Sequence, residues 1–179
     1  MVGSNVKQLT CALAFAATLI VPVSAAPAAS DPDEDEKPWA ESELQLPAFP
    51  EKENLIPFTV GAVRDRQFFI DSKSLSVGAD DVIRYTLVII SDAGAQNISF
   101  EGLRCDAGER RYYASGRSDK TWSKARSDQW IKIKGTSNDH HVELYSTYFC
   151  ANGAPVLRSA DDARRSLRQG GQQVRPGGY

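Results

Sequence analysis

The two stretches VIRYTLVII (residues 82–90) and NISFEGLRC (residues 97–105) decide the fold of this chain. The first is rich in β-branched residues and has apolar side chains in both alternating phases, which is typical of a central strand buried on both faces. The turn residues Asp92, Ala93 and Gly94 separate the two stretches. The pair is therefore predicted to form an antiparallel hairpin.

The second strand of this hairpin changes phase near its middle. Ile98 and Phe100 share one face, whereas Leu103 and Cys105 fall on the opposite phase. A one-residue slip at Gly102 would place all four side chains on the same face of the sheet. The sequence therefore predicts a β-bulge at Gly102.

Further strands are predicted on both sides of the hairpin, because short apolar runs are bounded there by turn residues. These runs are PFTVGA (57–62), QFFID (67–71), ERRYYASGR (109–117) and DQWIKI (128–133). Beyond Gly135 the apolar spacing becomes helical, which predicts one helix over 140–149 and a second over 160–169. The predicted fold class is α+β: a single domain, residues 39–169, with an antiparallel sheet of about five strands and two C-terminal helices.

The N-terminus has the layout of a cleaved secretory signal peptide over residues 1–25. Lys7 precedes the apolar run LTCALAFAATLIVPV (9–23), and small residues follow it. That run is shorter than the roughly twenty residues that a membrane-spanning helix needs, so we expect no transmembrane segment in the mature chain. Cleavage is expected after Ala25, with Ala28 as the alternative. The expected location is the periplasm, or the outside of the cell.

The mature chain would keep two cysteines, Cys105 and Cys150, because Cys11 leaves with the signal peptide. In an oxidising compartment an isolated pair indicates one disulfide. Closing a loop of that length contributes about 4 kcal/mol by the chain-entropy argument. The alternative, two buried free thiols, is the less common arrangement in exported proteins.

An acidic, proline-bearing segment precedes the predicted domain. Residues 26–38 carry mostly like charges that oppose collapse, so we expect disorder there. From Trp39 onwards apolar residues become frequent, while Pro47 and Pro50 disfavour a helix. This pattern predicts an extended segment that lies across the folded domain. The C-terminal residues 170–179 are predicted to form a disordered tail.

The only two histidines, His140 and His141, are adjacent and follow Asp139 directly. Aspartate and histidine are metal ligands and general bases, so these residues are candidates for a metal or catalytic site. Neighbouring side chains on a regular helix point about 100° apart, and zinc-binding helices use an i, i+4 pair instead. We therefore expect helix-start capping here, with no metal, no cofactor and no assigned catalytic residue.

A basic and aromatic segment, residues 104–130, is the strongest candidate for binding. Arginine forks and flat aromatic rings suit carboxylates, phosphates and sugar rings. The candidate ligand-binding residues are Arg104, Arg110, Arg111, Arg117, Trp122, Lys124, Arg126 and Trp130. In the alternative interpretation the tryptophans pack in the core, and the cations form a solvated face or pair with the acidic residues 31–53.

Several segments resemble the CNP1-like family of proteobacterial secreted proteins. The most specific are SFEGLRC (99–105) and WSKARSDQW (122–130), and the resemblance spans about residues 38–168. It implies a location in the cell envelope. It brings no catalytic residues with it.

Together these patterns predict a non-catalytic envelope protein that binds or scaffolds through its basic and aromatic segment. The expected partner is an envelope component: a protein, peptidoglycan or another anionic glycan. The net charge of −2 is too close to balance to indicate nucleic acid. The alternative function is a small periplasmic hydrolase that uses His140 or His141. The sequence leaves the oligomeric state open.

Overall fold

The computed structural model describes residues 38–151, 154–155 and 157–172. The predicted signal peptide, residues 1–25, lies outside this part of the chain. The same holds for the acidic lead-in up to residue 37 and for most of the predicted tail.

One antiparallel sheet of eight strands forms the centre of the fold. Its strands are β1 (Leu55–Phe58), β2 (Arg66–Asp71), β3 (Ser76–Val77), β4 (Val82–Ser91), β5 (Gln96–Arg104), β6 (Glu109–Gly116), β7 (Trp122–Lys124) and β8 (Ile131–Lys132). The main order is β1-β2-β4-β5-β6-β7, while β3 pairs with β4 and β8 pairs with β6. The prediction of about five strands was wrong. β3 and β7 contain only two and three residues, too few to leave an alternating pattern in the sequence, whereas β8 lies within the predicted run 128–133.

The β4–β5 hairpin pairs in regular register along its whole length, as the sequence predicts. The pairing includes Gly102, which lies opposite Arg84, so the predicted bulge at Gly102 is wrong. The bulge is instead in β6, where Tyr113 is the extra residue opposite β5. The prediction failed because it assumed that only one face of β5 is buried.

The helical elements cover one face of the sheet. α1 (His140–Glu143) continues as a π-helix over Leu144–Phe149, and α2 (Ala160–Arg168) follows later in the chain. Side-chain oxygens of Asp139 and Ser159 cap α1 and α2 respectively. Within the described residues, no helix has the length and apolar character needed to cross a bilayer. The main core includes Ile70, Tyr85, Leu87, Leu103, Leu144, Phe149 and Leu167.

A disulfide joins Cys105 to Cys150, as predicted. Cys105 follows β5 directly, whereas Cys150 follows the π-helix and begins β9 (Cys150–Ala151), which pairs with β10 (Ala154–Pro155). Both cysteines are at most 1% exposed. The bond therefore ties the sheet to the helical layer inside the core.

Residues 38–51, which we call the arm, cover the other face of the sheet. They contain no helix or strand, in agreement with the extended segment predicted from Trp39. Leu44 of the arm packs with Trp122 against the buried residues Phe100 and Tyr113. The sheet is therefore buried on both faces, by helices on one side and by the arm on the other.

Candidate functional site

The eight residues predicted to bind a ligand fall into two groups in the structure. Arg104, Arg111, Trp122 and Trp130 contact the arm. The other four are Arg110, Arg117, Lys124 and Arg126. Of these, Arg117, Lys124 and Arg126 are exposed, whereas Arg110 is partly buried.

The Arg104 guanidinium stacks on Trp39 of the arm. Its carbon Cζ lies 3.7 Å from the centre of the Trp39 ring and 5.7 Å from that of Trp130. Trp39 Nε1 donates a hydrogen bond of 2.9 Å to the carbonyl of Asp80. Arg104 also forms an ion pair of 3.0 Å with Asp106. Its charge and its flat face are thus both engaged within the chain.

Glu41 is the centre of a polar network beneath the arm. Its carboxylate accepts hydrogen bonds from Arg111, from the Tyr113 hydroxyl and, at 3.3 Å, from Trp130 Nε1, and Arg84 approaches it to 3.5 Å. Burial, together with the hydrogen bond to Glu41, raises the pKa of the Tyr113 hydroxyl, which therefore remains a donor at neutral pH. The alternative interpretation, pairing of the cations with the acidic segment, holds for Arg111.

A second carboxylate, Asp80, holds Arg84. Nη1 and Nη2 of Arg84 lie 3.1 and 2.6 Å from the two carboxylate oxygens of Asp80. The backbone N–H of Ser42 donates to the same carboxylate at 2.7 Å. Burial opposes the charge of Asp80, but the hydrogen bonds and the charge of Arg84 outweigh it and lower the pKa of Asp80 well below its usual range. The turn between β3 and β4 thereby anchors the arm backbone.

Trp122 fixes the opposite end of the arm. Its Nε1 donates a hydrogen bond of 2.9 Å to the carbonyl of Pro47. Its ring packs on Phe49 and Phe100, with centroid distances of 5.4 and 6.3 Å. The indole N–H groups of Trp122 and Trp130 are therefore both satisfied within the chain.

A strip of exposed cations runs along β7 and the turns that flank it. Arg117 and Lys120 precede the strand, Lys124 ends it, and Arg126 follows it. Asp119 is the one carboxylate within this stretch of sequence. We call the four cations the cationic edge, since β7 is the last strand in the main order of the sheet.

Arg110 belongs to neither of these surfaces. It neighbours Arg111 in β6, and adjacent residues of a strand point to opposite faces of the sheet. Arg110 therefore faces the helical layer, where its charge contributes to lowering the pKa of His140. Because Arg110 and Arg111 are adjacent in a strand, they lie on opposite faces of the sheet and do not belong to one surface.

A buried polar cluster on the helical face centres on Glu101, which is 3% exposed. Glu101 accepts hydrogen bonds from Ser99 Oγ at 2.6 Å and from the Tyr85 hydroxyl at 3.3 Å, and His141 Nε2 lies 2.7 Å from it. Burial raises the pKa of Glu101, but the hydrogen bond and charge of His141 outweigh it, so the net pKa is lowered. Sequence analysis did not single out Glu101. The available signal was a carboxylate in the same strand phase as the apolar Leu103.

His140 lines an open cleft beside α1. The cleft has a volume of about 480 Å³, and its other lining residues include Arg64, Phe68 and Asn138. The imidazole stacks on Phe68, with centroids 5.7 Å apart and ring planes 26° from parallel. Burial, followed by the charge of His141, lowers the pKa of His140 to about 4. The His140 ring is therefore neutral at neutral pH.

The fold and these clusters define a small single-domain α+β protein whose sheet is covered by helices on one face and by an N-terminal arm on the other. The chain belongs to the CNP1-like family, whose family model matches residues 34–168. This match confirms the resemblance drawn from the sequence. No curated protein and no solved structure matches the chain.

Proposed function

We propose that this CNP1-like protein is an exported, non-catalytic binding protein of the cell envelope, and that the cationic edge is its contact surface. The observation that carries the proposal is the concentration of four exposed cations within residues 117–126, where Asp119 is the one carboxylate. The whole chain has a net charge of −2, so this positive patch is local and does not reflect a generally basic protein. The apolar run at residues 9–23 supports export.

The chemistry of the cationic edge suits an extended polyanion. Arginine can donate paired hydrogen bonds to carboxylates and phosphates, and lysine adds a flexible point charge. Of the envelope components, we propose peptidoglycan, which presents repeated carboxylates along a glycan. In this proposal Trp122 and Trp130 support the surface by holding the arm and do not contact the partner.

Co-sedimentation with purified peptidoglycan sacculi tests this function. The test variant combines Arg117→Glu, Lys124→Glu and Arg126→Glu. A matched control reverses three other exposed cations, Lys52, Lys73 and Arg158, and so changes the net charge equally. We expect the wild type and the control to sediment with sacculi, and the test variant to stay in the supernatant. Added salt should weaken the retention, because it screens exposed charges.

Equal sedimentation of the test variant and the control would contradict the proposal. The cations would then have the simpler role of protecting an exposed sheet edge from pairing with other chains. Retention on lipopolysaccharide-containing vesicles but not on sacculi would assign the cationic edge to a phosphate-bearing partner instead.

A second candidate function, the small hydrolase, is favoured by the buried Glu101–His141 pair beside the cleft that His140 lines. Such a pair orients an imidazole, as a general base requires. The two hydroxyls bonded to this pair, those of Ser99 and Tyr85, donate to Glu101 and not to a histidine. Replacement of both histidines separates the two functions. A binding protein that stays folded keeps its sedimentation with sacculi, whereas a hydrolase loses turnover in a screen of ester substrates.

A further inference from the structure

Asp139, His140 and His141 each place one potential ligand atom within 4.8 Å of the others. Adjacent side chains of a regular helix point in different directions. Asp139, however, lies outside the helix: it is the residue before α1 and has an extended backbone, with φ −97° and ψ 124°. Its Oδ1 accepts a hydrogen bond of 2.8 Å from the backbone N–H of His141, so the carboxylate turns back over the first turn. The two imidazole centroids are 4.0 Å apart. Three donor groups therefore converge at the start of α1.

The contact between His141 and Glu101 directs the other ring nitrogen of His141 towards Asp139. Nε2 of His141 is 2.7 Å from Glu101, and Nδ1 is 3.6 Å from Asp139 Oδ1. An imidazole that donates its one proton from Nε2 presents a lone pair at Nδ1. Nδ1 of His141 and Oδ1 of Asp139 are then placed to serve together as ligands of one cation. Carboxylate–histidine pairs of this kind orient metal-ligating histidines in proteins.

The cluster is partly accessible to solvent. The His141 side chain is 10% exposed, whereas the Asp139 side chain is 40% exposed and His140 lines the cleft. A cation held here would have protein ligands on its buried side and free coordination positions towards the cleft. Two imidazoles and one carboxylate suit zinc and its first-row neighbours, whereas magnesium and calcium prefer oxygen ligands alone.

We propose that Asp139, His140 and His141 form a binding site for a divalent cation of the zinc class. Glu101 is a positioning residue that acts on the metal through His141. Three protein ligands leave the fourth tetrahedral position open to the cleft, as in zinc sites that bind water or an exogenous ligand. The site lies on the helical layer and does not depend on the cationic edge.

Zinc titration by isothermal calorimetry tests the site, using protein purified without a histidine tag. We expect one zinc ion per chain, and a visible cobalt(II) absorption band of tetrahedral type when cobalt replaces zinc. Asp139→Asn is the central variant, because asparagine caps a helix as well as aspartate but lacks its charge. Asp139→Asn and His140→Gln should both abolish saturable binding. Asp106→Asn, an exposed carboxylate away from α1, is the matched control and should bind zinc as the wild type does.

Glu101→Gln should weaken zinc affinity roughly 10–100-fold and keep the stoichiometry, as expected for a group that orients a ligand. A purely structural Glu101 would lower the melting temperature without changing zinc affinity in the folded protein. Circular dichroism establishes that each variant is folded. Absence of saturable zinc binding by the wild type would overturn the proposal, and so would unchanged affinity in folded Asp139→Asn.

Discussion

The Arg104 guanidinium carbon lies 3.7 Å from the centre of the Trp39 ring, although one residue ends β5 and the other lies near the start of the arm. Trp39 is bonded at the same time to the carbonyl of Asp80. These contacts close the arm over the face of the sheet that carries Phe100 and Tyr113. The arm is therefore part of the folded domain and contributes to its stability.

Trp39→Ala should lower the free energy of unfolding by about 1–2 kcal/mol, because it removes the cation–π contact with Arg104 and a hydrogen bond. Urea denaturation measures the change. Leu46→Ala is the control, since Leu46 is an arm residue of similar exposure, 38% against 42% for Trp39. We expect the control to change stability by less than about 0.5 kcal/mol. Equal stability of the two variants would mean that the Trp39 contact does not hold the arm.

Glu41→Gln should destabilise the protein by about 2 kcal/mol, because Arg111 loses its charged acceptor in a partly buried site. The neighbouring exposed Glu43 provides the control variant Glu43→Gln, which should leave stability unchanged within error. Thermal unfolding followed by circular dichroism compares the two. Chymotrypsin, which cleaves after aromatic residues and leucine, should also cut the arm of Glu41→Gln after Trp39 or Leu44 earlier than it cuts the arm of the control. An arm that stays equally resistant in both variants would speak against the network.

Asp80 should make stability depend on pH in the acid range. The pKa of Asp80 lies below its ordinary value of 3.8 in the folded protein, so the unfolded chain takes up this proton first as the pH falls. The stabilising contribution is complete above about pH 4 and is lost at lower pH. Asp80→Asn should therefore unfold at a lower temperature at neutral pH and lose less stability than the wild type between about pH 4 and pH 2.

The control for this pH dependence is Asp81→Asn, a neighbouring exposed position with a positive φ of 58° that asparagine tolerates. It should show the same melting temperature profile against pH as the wild type. If Asp80→Asn also follows that profile, the contact between Asp80 and Arg84 does not stabilise the folded state through its charge.

Replacement of Cys105 and Cys150 by serine should lower the free energy of unfolding by about 4 kcal/mol, the value expected for releasing a cross-link of this loop length. Chemical denaturation under oxidising conditions measures it. Because both cysteines are at most 1% exposed, a reductant should open the bond in the wild type only when the domain unfolds. Rapid reduction of the native protein would show that the core opens locally around the bond.

Intact-mass spectrometry of the protein recovered from a periplasmic extract tests export. A mature N-terminus at Ala26 is expected, or at Ala29 if cleavage follows Ala28. Uncleaved protein confined to the cytoplasm would refute the proposed location and the peptidoglycan partner together.

The parts of the fold that the sequence predicted correctly depend on local patterns. The β4–β5 hairpin follows from alternation and a turn, and α2 follows from its cap Ser159 and its helical spacing. The bulge at Tyr113 was missed because the arm buries the second face of β5. The sequence of β5 does not show that the arm covers this face. The prediction used the alternation of apolar and polar residues to locate a bulge, and this alternation is lost when both faces of a strand are buried.

The candidate site was harder to predict, because its contacts join distant parts of the chain. The sequence shows many acidic residues before the domain but does not reveal that Glu41 in particular accepts from Arg111. The prediction for His140 and His141 assumed regular helix geometry. In the structure, the extended backbone of Asp139 determines where its carboxylate lies relative to the two imidazoles. In both cases the deciding feature is the path of the backbone, which residue types alone do not specify.

The arm also constrains the order of folding. It is synthesised before any strand, yet its partners Arg104, Arg111 and Trp130 lie in or after the later strands. Such contacts of high sequence separation form slowly, because a long loop must close before they stabilise anything. The arm is made before every strand but docks only after the strands that hold it. Until Trp122 is in place and Leu44 of the arm docks, the surface around Phe100 remains open to water and to any chaperone that recognises it.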